Sequence, residues 1–190
     1  MSRIAYVNGR YVRHSEAAVH VEDRGYQFAD GVYEVCEIRH GFIVDLTRHL
    51  DRLDRSLREL EISWPMQRQA LIAVIRETVR RNHVVNGMFY LQVTRGAAKR
   101  DHVFPGDNVS PSLVITAKSI NRDAGVDALR LAAEVGVKRF VFLSTCSNYG
   151  ISDPGTLADE TTALKPLSHY ARTKVEVERA CLAYRGSTAV

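Results

Sequence analysis

The sequence predicts an α+β protein: a β-sheet carrying two helices over residues 1–118, then an α/β segment of helix, strand and helix over 119–190. Three observations lead there. Short β-prone runs are punctuated by Asn8-Gly9 and His40-Gly41, and Asn-Gly suits the positive backbone angles of a type I′ hairpin turn. Leu46, Leu50, Leu53, Leu57 and Leu60 recur every three or four positions, the apolar stripe of an amphipathic helix. Near residue 120 the pattern changes to a helix, a nearly continuous apolar run and another helix, the alternation of a doubly wound sheet.

Each element follows in order. Residues 4–12, IAYVNGRYV, form two short strands about the Asn8-Gly9 turn. Over 32–44, Val32, Glu34, Cys36 and Ile38 alternate with Tyr33, Val35, Glu37 and Arg39 before the His40-Gly41 turn. The leucine helix comes next, with Asp45 or Thr47 available to cap it. A second helix spans about 67–82, with Ile72, Ile75 and Val79 on one face; those three and the five leucines are the candidate core. Residues 88–95 and 112–118 are strands separated by a polar loop at 96–111. Beyond a join at 118–121, unmarked by any Pro/Gly linker, 124–136 is a helix with Val126, Leu129, Leu131, Ala132 and Val135, ended by Gly136. RFVFLS at 139–144 suits a parallel strand covered on both faces, and a last helix covers about 168–184.

Composition excludes several classes of function. Of 190 residues, 45% are apolar and 25% charged, which excludes a disordered or fibrous chain. Lys and Arg total 26 against 22 Asp and Glu, a net charge of +4, and both signs interleave along 48–61. There is no one-sided basic face for nucleic acid. No run reaches the roughly 18 apolar residues of a membrane span. The first residues lack the apolar core of a secretory signal, so a cytoplasmic location is expected. Cys36, Cys146 and Cys181 are odd in number and widely spaced; reduced thiols and no metal site are expected.

Three segments carry more specific information: EDRGYQFADGVY at 22–33, HLDRLDRS at 49–56 and LQVTRGAAKRDHVFP at 91–105. On these motifs residues 3–118 resemble the N-terminal small domain of the class IV (fold type IV) pyridoxal-phosphate aminotransferases, in the D-amino-acid transaminase branch. The resemblance implies that Arg52 holds the cofactor phosphate, a role that suits a guanidinium fork. Read without it, Arg52 with Asp51, Asp54 and Arg55 is the charge mesh of a solvated helix face. The resemblance likewise makes Tyr33, Arg100 and His102 the donors that hold the carboxylate of an amino or keto acid. Arg100 and His102 would reach the neighbouring subunit's site, implying a homodimer. Without it, Tyr33 is an amphipathic strand residue and the other two belong to a solvated loop. Gly25, Gly31 and Gly96 are read as turn residues. The family's Schiff-base lysine and large domain follow the small domain, whereas here the likeness stops near Lys118. The later Lys138, Lys165 and Lys174 stand in unlike contexts, so pyridoxal-phosphate binding is expected to be weak or absent.

Residues 120–181 resemble a different family, the extended short-chain dehydrogenase/reductases acting on nucleotide sugars, through INRDAGVDALRLAAEVGVKRFVFLSTCSNYG and SHYARTKVEVE. This resemblance implies Thr145 (or Ser144) as catalytic hydroxyl, Tyr170 as acid/base and Lys174 as its partner. Positions i and i+4 share a helix face, which fits the last two. The family's NAD site needs a Gly-rich turn after its first strand, and no GxGxxG or GxxGxxG occurs in the chain. Three readings stay open from sequence: a D-amino-acid-transaminase-like protein fused to a reductase fragment and not active alone; an NAD-dependent epimerase/dehydratase-like protein; and a non-enzymatic chimera or remnant.

Overall fold

Turn chemistry sets the first hairpins. Asn8 and Gly9 take φ of 44° and 92° and fold β1 (Ile4–Val7) onto β2 (Arg10–Arg13). His40 and Gly41, with φ of 49° and 80°, fold β3 (Gly31–Arg39) onto β4 (Phe42–Ile43). With β5 (Gly87–Thr94) and β6 (Ser112–Ser119) they make an antiparallel sheet in the order β2-β1-β6-β5-β3-β4. The structure, a computed structural model, describes residues 3–106, 108–120, 124–151, 155 and 157–186. By contact the chain separates into two compact units, Met1–Ile120 and Asn121–Val190. The last residue of the expected join, Asn121, lies outside the described residues.

Alternation along the strands decides what the first unit buries. The register sets Cys36 opposite Phe89 and Leu91 opposite Ile115, so one face of the sheet is apolar apart from Glu34, which stands opposite Leu91. Two helices, α2 (Leu46–Glu59) and α3 (Arg68–Arg81), follow the short α1 (Arg24–Phe28), and both pack on that face. Leu50, Leu53, Leu57, Leu71, Ile75 and Val79 join Cys36, Ile38, Phe89, Leu91, Leu113 and Ile115 in one core. The other face carries Tyr33, Val35, Met88, Tyr90, Gln92, Val114 and Thr116 at intermediate or full exposure.

Four local expectations change. Leu46 is only partly buried, and Leu60 is exposed because α2 ends at Glu59 and the chain turns away through Glu61 at φ 51°. On α3 the buried stripe is Leu71, Ile75, Thr78 and Val79, which leaves Ile72 at its edge. Asp45 occupies the N-cap position of α2 but adopts left-handed angles and makes no side-chain cap; capping needs extended angles there. Of the glycines read as turn residues, only Gly96 has the φ, +102°, that requires glycine. Gly25 lies within α1 and Gly31 opens β3, where an added Cβ would meet Thr94 Cγ2 at 2.2 Å and the Val93 carbonyl oxygen at 2.7 Å.

In the second unit α4 (Ala124–Glu134) and α5 (His169–Ala183) pack through Leu129, Val177 and Cys181. Ser168 caps α5 by accepting from the Ala171 N–H at 3.0 Å. The strand expected over 139–144 does not form, and Val141 and Leu143 are 73% and 79% exposed. A strand needs neighbours for its backbone and both faces, and among the described residues this unit has no sheet to supply them. Of the expected α4 stripe only Leu129 is buried, while Val126, Leu131 and Val135 are exposed. No described helix is long and apolar enough to cross a membrane.

Leu53 is fully buried at the centre of the α2 face. Replacing it with Ala should cost about 2–5 kcal/mol in denaturant melts. A change under about 0.5 kcal/mol, the range of surface substitutions, would mean that α2 does not close this core.

Candidate functional site

Strand alternation turns Glu34 toward the helix-covered face, beside Cys36 and Ile38. A carboxylate on that face is costly unless charged donors meet it. They come from α2, where His49 and Arg52 are three residues apart and share a face. Arg52 donates from Nε to Glu34 Oε1 at 2.7 Å and from Nη2 to Oε2 at 2.5 Å. His49 Nδ1 lies 2.7 Å from Oε2 and, against an ionised carboxylate, carries the proton. The Glu34 side chain is 3% exposed and that of Arg52 is 55% exposed, so the ion pair runs from the covered face out to solvent.

Electrostatics follow this arrangement. The hydrogen bonds that Arg52 donates to Glu34 raise the pKa of its guanidinium further. Burial, then the Glu34 charge, pushes the Cys36 thiol up to about 12, so it is a neutral core group and not a nucleophile. Arg52 does not join the helix-surface mesh that its neighbours suggested: Asp51 pairs with Arg68 at 2.7 Å and Asp54 with Arg58 at 3.2 Å. Among the described residues the Nη1 group of Arg52 has no hydrogen-bond partner, so one edge of the fork is available to an anion. Glu34 and His49 escaped the sequence reading. The signal was there in a carboxylate at an inward strand position and a His-x-x-Arg spacing on the next helix.

A second carboxylate organises the loop that carries Arg100 and His102. Asp30 Oδ2 accepts from Arg24 Nε and from Arg95 Nε, each at 2.8 Å, with the three side chains 8%, 4% and 14% exposed. Arg24 Nη1 then reaches the Asp101 carbonyl at 2.9 Å, and Arg95 donates to the carbonyls of Leu60 and Glu61. Phe104 is held under Arg95 and Arg24 at 4.6 and 5.5 Å. Phe28 is a shared platform: the Arg100 guanidinium lies 5.3 Å from its centroid and the His102 ring packs edge-on at 5.7 Å. Tyr33 stands elsewhere, on the open face of the sheet, stacked 5.8 Å from Tyr90. Arg100 and His102 are thus brought together, and among the described residues no contact joins Tyr33 to either.

In the second unit Tyr170 and Lys174 do share a face of α5, with the Lys174 ammonium 5.9 Å from the Tyr170 ring centroid. Lys174 Nζ donates to the Leu143 carbonyl at 2.7 Å and lies 4.6 Å from the Phe142 ring centroid. Thr145 accepts from the Ser147 N–H and caps the short 3-10 turn Cys146–Tyr149. Among the described residues no hydrogen bond links Thr145 to Tyr170. Ser144 Oγ instead donates to Glu178 Oε2 at 2.5 Å, and the buried Asn148 amide donates to both.

One antiparallel sheet with two helices on a single face makes a small α+β domain in which arginine side chains converge on the carboxylates of Glu34 and Asp30. Comparison with known proteins gives its class. The model of the amino-transferase class IV family matches residues 31–146, and that of the NAD dependent epimerase/dehydratase family matches 116–190. This chain belongs to the class IV aminotransferase family, whose members depend on pyridoxal phosphate. It is 39% identical over 117 residues to a D-alanine aminotransferase of Staphylococcus haemolyticus, covering 62% of this chain and 42% of that one. It is 43% identical over 102 residues to one from Listeria innocua, covering 53% and 35%. The chain therefore spans about four tenths of the length of these curated relatives. Among solved structures, the branched-chain amino acid aminotransferase of Escherichia coli aligns with a TM-score of 0.59 at 19% identity, covering 63% of this chain and 42% of that one. That of Thermoproteus uzoniensis aligns at 0.54 and 23%, covering 64% and 42%. These likenesses concern the fold.

The Asp30 centre has a pH signature. Burial favours the neutral acid, but hydrogen bonds and charge from Arg95 and Arg24 outweigh it and hold the carboxyl below its ordinary 3.8. Its contribution is complete above about pH 4 and disappears as pH falls through the lowered value. Asp30→Asn should cost about 3 kcal/mol at pH 7 by leaving two arginines unpaired, and hydrogen exchange should quicken in residues 97–104. The stability gap from wild type should shrink in melts taken below pH 4; a gap constant with pH would remove the ion pair as its cause.

Proposed function

We propose that residues 1–118 are a small domain of the D-amino-acid transaminase branch, joined from residue 119 to a fragment of an extended short-chain reductase. The identity to D-alanine aminotransferases and the two compact units, Met1–Ile120 and Asn121–Val190, support this division. The observation that carries the reading is Arg52: its fork is fixed on one edge by Glu34, and its Nη1 group is open to a phosphate.

The residues present fit the phosphate end of pyridoxal phosphate and not its covalent anchorage. When bound, this cofactor supplies the electron sink for amino-group transfer between amino and keto acids. Arg52 would hold the phosphate dianion. Arg100 and His102 would present donors to a substrate carboxylate, held in place by Phe28, in the site of a neighbouring subunit that supplies Tyr33. No lysine occupies the position the family links to the cofactor: Lys118 is the penultimate residue of β6, and Lys138, Lys165 and Lys174 belong to the second unit. By itself the chain is therefore inactive in transamination on this reading.

The reductase-like residues are read as a relic. Tyr170 and Lys174 keep their helical relation, yet Thr145 is occupied in capping and Lys174 in holding the Leu143 carbonyl. Acid/base catalysis at Tyr170 would need a nicotinamide fixed within hydrogen-bond reach. Holding the dinucleotide pyrophosphate takes a Gly-rich helix N-terminus, which the sequence lacks.

Two experiments test these readings. Incubation with pyridoxal phosphate followed by borohydride should label no single lysine stoichiometrically; stoichiometric labelling with D-alanine-dependent absorbance changes would overturn the inactive reading. Calorimetric titration with NAD should show no binding tighter than about millimolar. A micromolar affinity lost in Lys174→Ala would make the second unit the functional one.

A further inference from the structure

We propose that Glu34 is a positioning residue for the anion site, aiming the guanidinium of Arg52 and the imidazole of His49 at a phosphate-bearing ligand. The inference rests on the reading of Arg52 as the phosphate ligand. Glu34 contacts no ligand itself: its side chain is 3% exposed and its two oxygens are engaged by Arg52 Nε, Arg52 Nη2 and His49 Nδ1.

Two bonds to one carboxylate fix the plane of a guanidinium as well as its position. An arginine on an exposed helix face otherwise samples many rotamers and loses that freedom on binding. Here the freedom is already spent, and Nη1 points from a fixed fork. His49 is fixed by the same oxygen that receives Nη2, so two donors three residues apart on α2 share one anchor on β3.

Charge alone argues the opposite way, which makes the proposal testable. Glu34 cancels the charge of Arg52, so the pair has no net charge to draw in an anion. If Glu34 only neutralised Arg52, removing its charge would tighten phosphate binding. If it orients the fork, removing its charge weakens binding although the site becomes more positive.

The experiment uses the full chain with inorganic phosphate and pyridoxal phosphate as probes, titrated calorimetrically against wild type, Glu34→Gln, Glu34→Asp and Arg52→Ala. NMR of the arginine Nε–H groups gives a second readout. In wild type the Arg52 Nε–H should be protected from exchange, and in Glu34→Gln that protection should be lost. Phosphate affinity should fall about tenfold, the scale of losing a supporting hydrogen-bond partner behind a ligand-binding group. Glu34→Asp keeps the charge one methylene short and should fall in between; it carries the test if Glu34→Gln does not fold. Unchanged or tighter phosphate binding in either folded variant, with Arg52→Ala binding none, overturns the positioning role and leaves Arg52 as the ligand. Phosphate binding unaffected by Arg52→Ala, or absent from wild type, removes the reading of Arg52 and the proposal with it.

Discussion

A carboxylate on the covered face of β3 has to be met by cations, and that requirement ties the sheet, α2 and the candidate phosphate site together. Glu34 shares its face with Cys36 and Ile38, so it cannot turn to water without slipping the strand by one residue and exposing its apolar set. The helix that covers β3 therefore has to bring donors as well as leucines. Leu50, Leu53 and Leu57 form its apolar stripe, and His49 and Arg52 flank that stripe on the side of Glu34.

Asp30 repeats the device a few residues earlier. One carboxylate oxygen receives two arginines whose remaining donors hold backbone carbonyls at Leu60, Glu61 and Asp101. Both groups of candidate ligand-binding side chains are thus organised by a carboxylate largely withdrawn from solvent. Pairs such as Arg13–Glu16, each side chain more than half exposed, have a different standing. They are screened by water and contribute about 0–1 kcal/mol.

The second unit separates local from tertiary geometry. The i,i+4 relation brings Tyr170 and Lys174 to one face of α5 in whatever surroundings the helix finds itself. The strand of 139–144 has no such autonomy, since its hydrogen bonds must come from other strands. Without them Val141 and Leu143 are left in solvent, and the Leu143 carbonyl is met by a lysine side chain.

By itself the sequence determined the elements whose causes are local. Asn8-Gly9 and His40-Gly41 specified their hairpins through backbone angles, the leucine spacing specified α2, and alternation divided β3 into its two faces. The motifs around Arg52 and Arg100 were legible as patterns and named the family. Tertiary structure alone decided what those side chains touch. Arg52 could not be assigned to Glu34 rather than to its neighbours Asp51 and Asp54 until α2 lay across β3, because the partners are 18 residues apart and meet only through packing. Asp30 likewise meets Arg95 across 65 residues of chain. Spacing along a sequence reports neighbours within one helix or strand; a buried ion pair between elements depends on which faces come together, and that is settled by the whole apolar core.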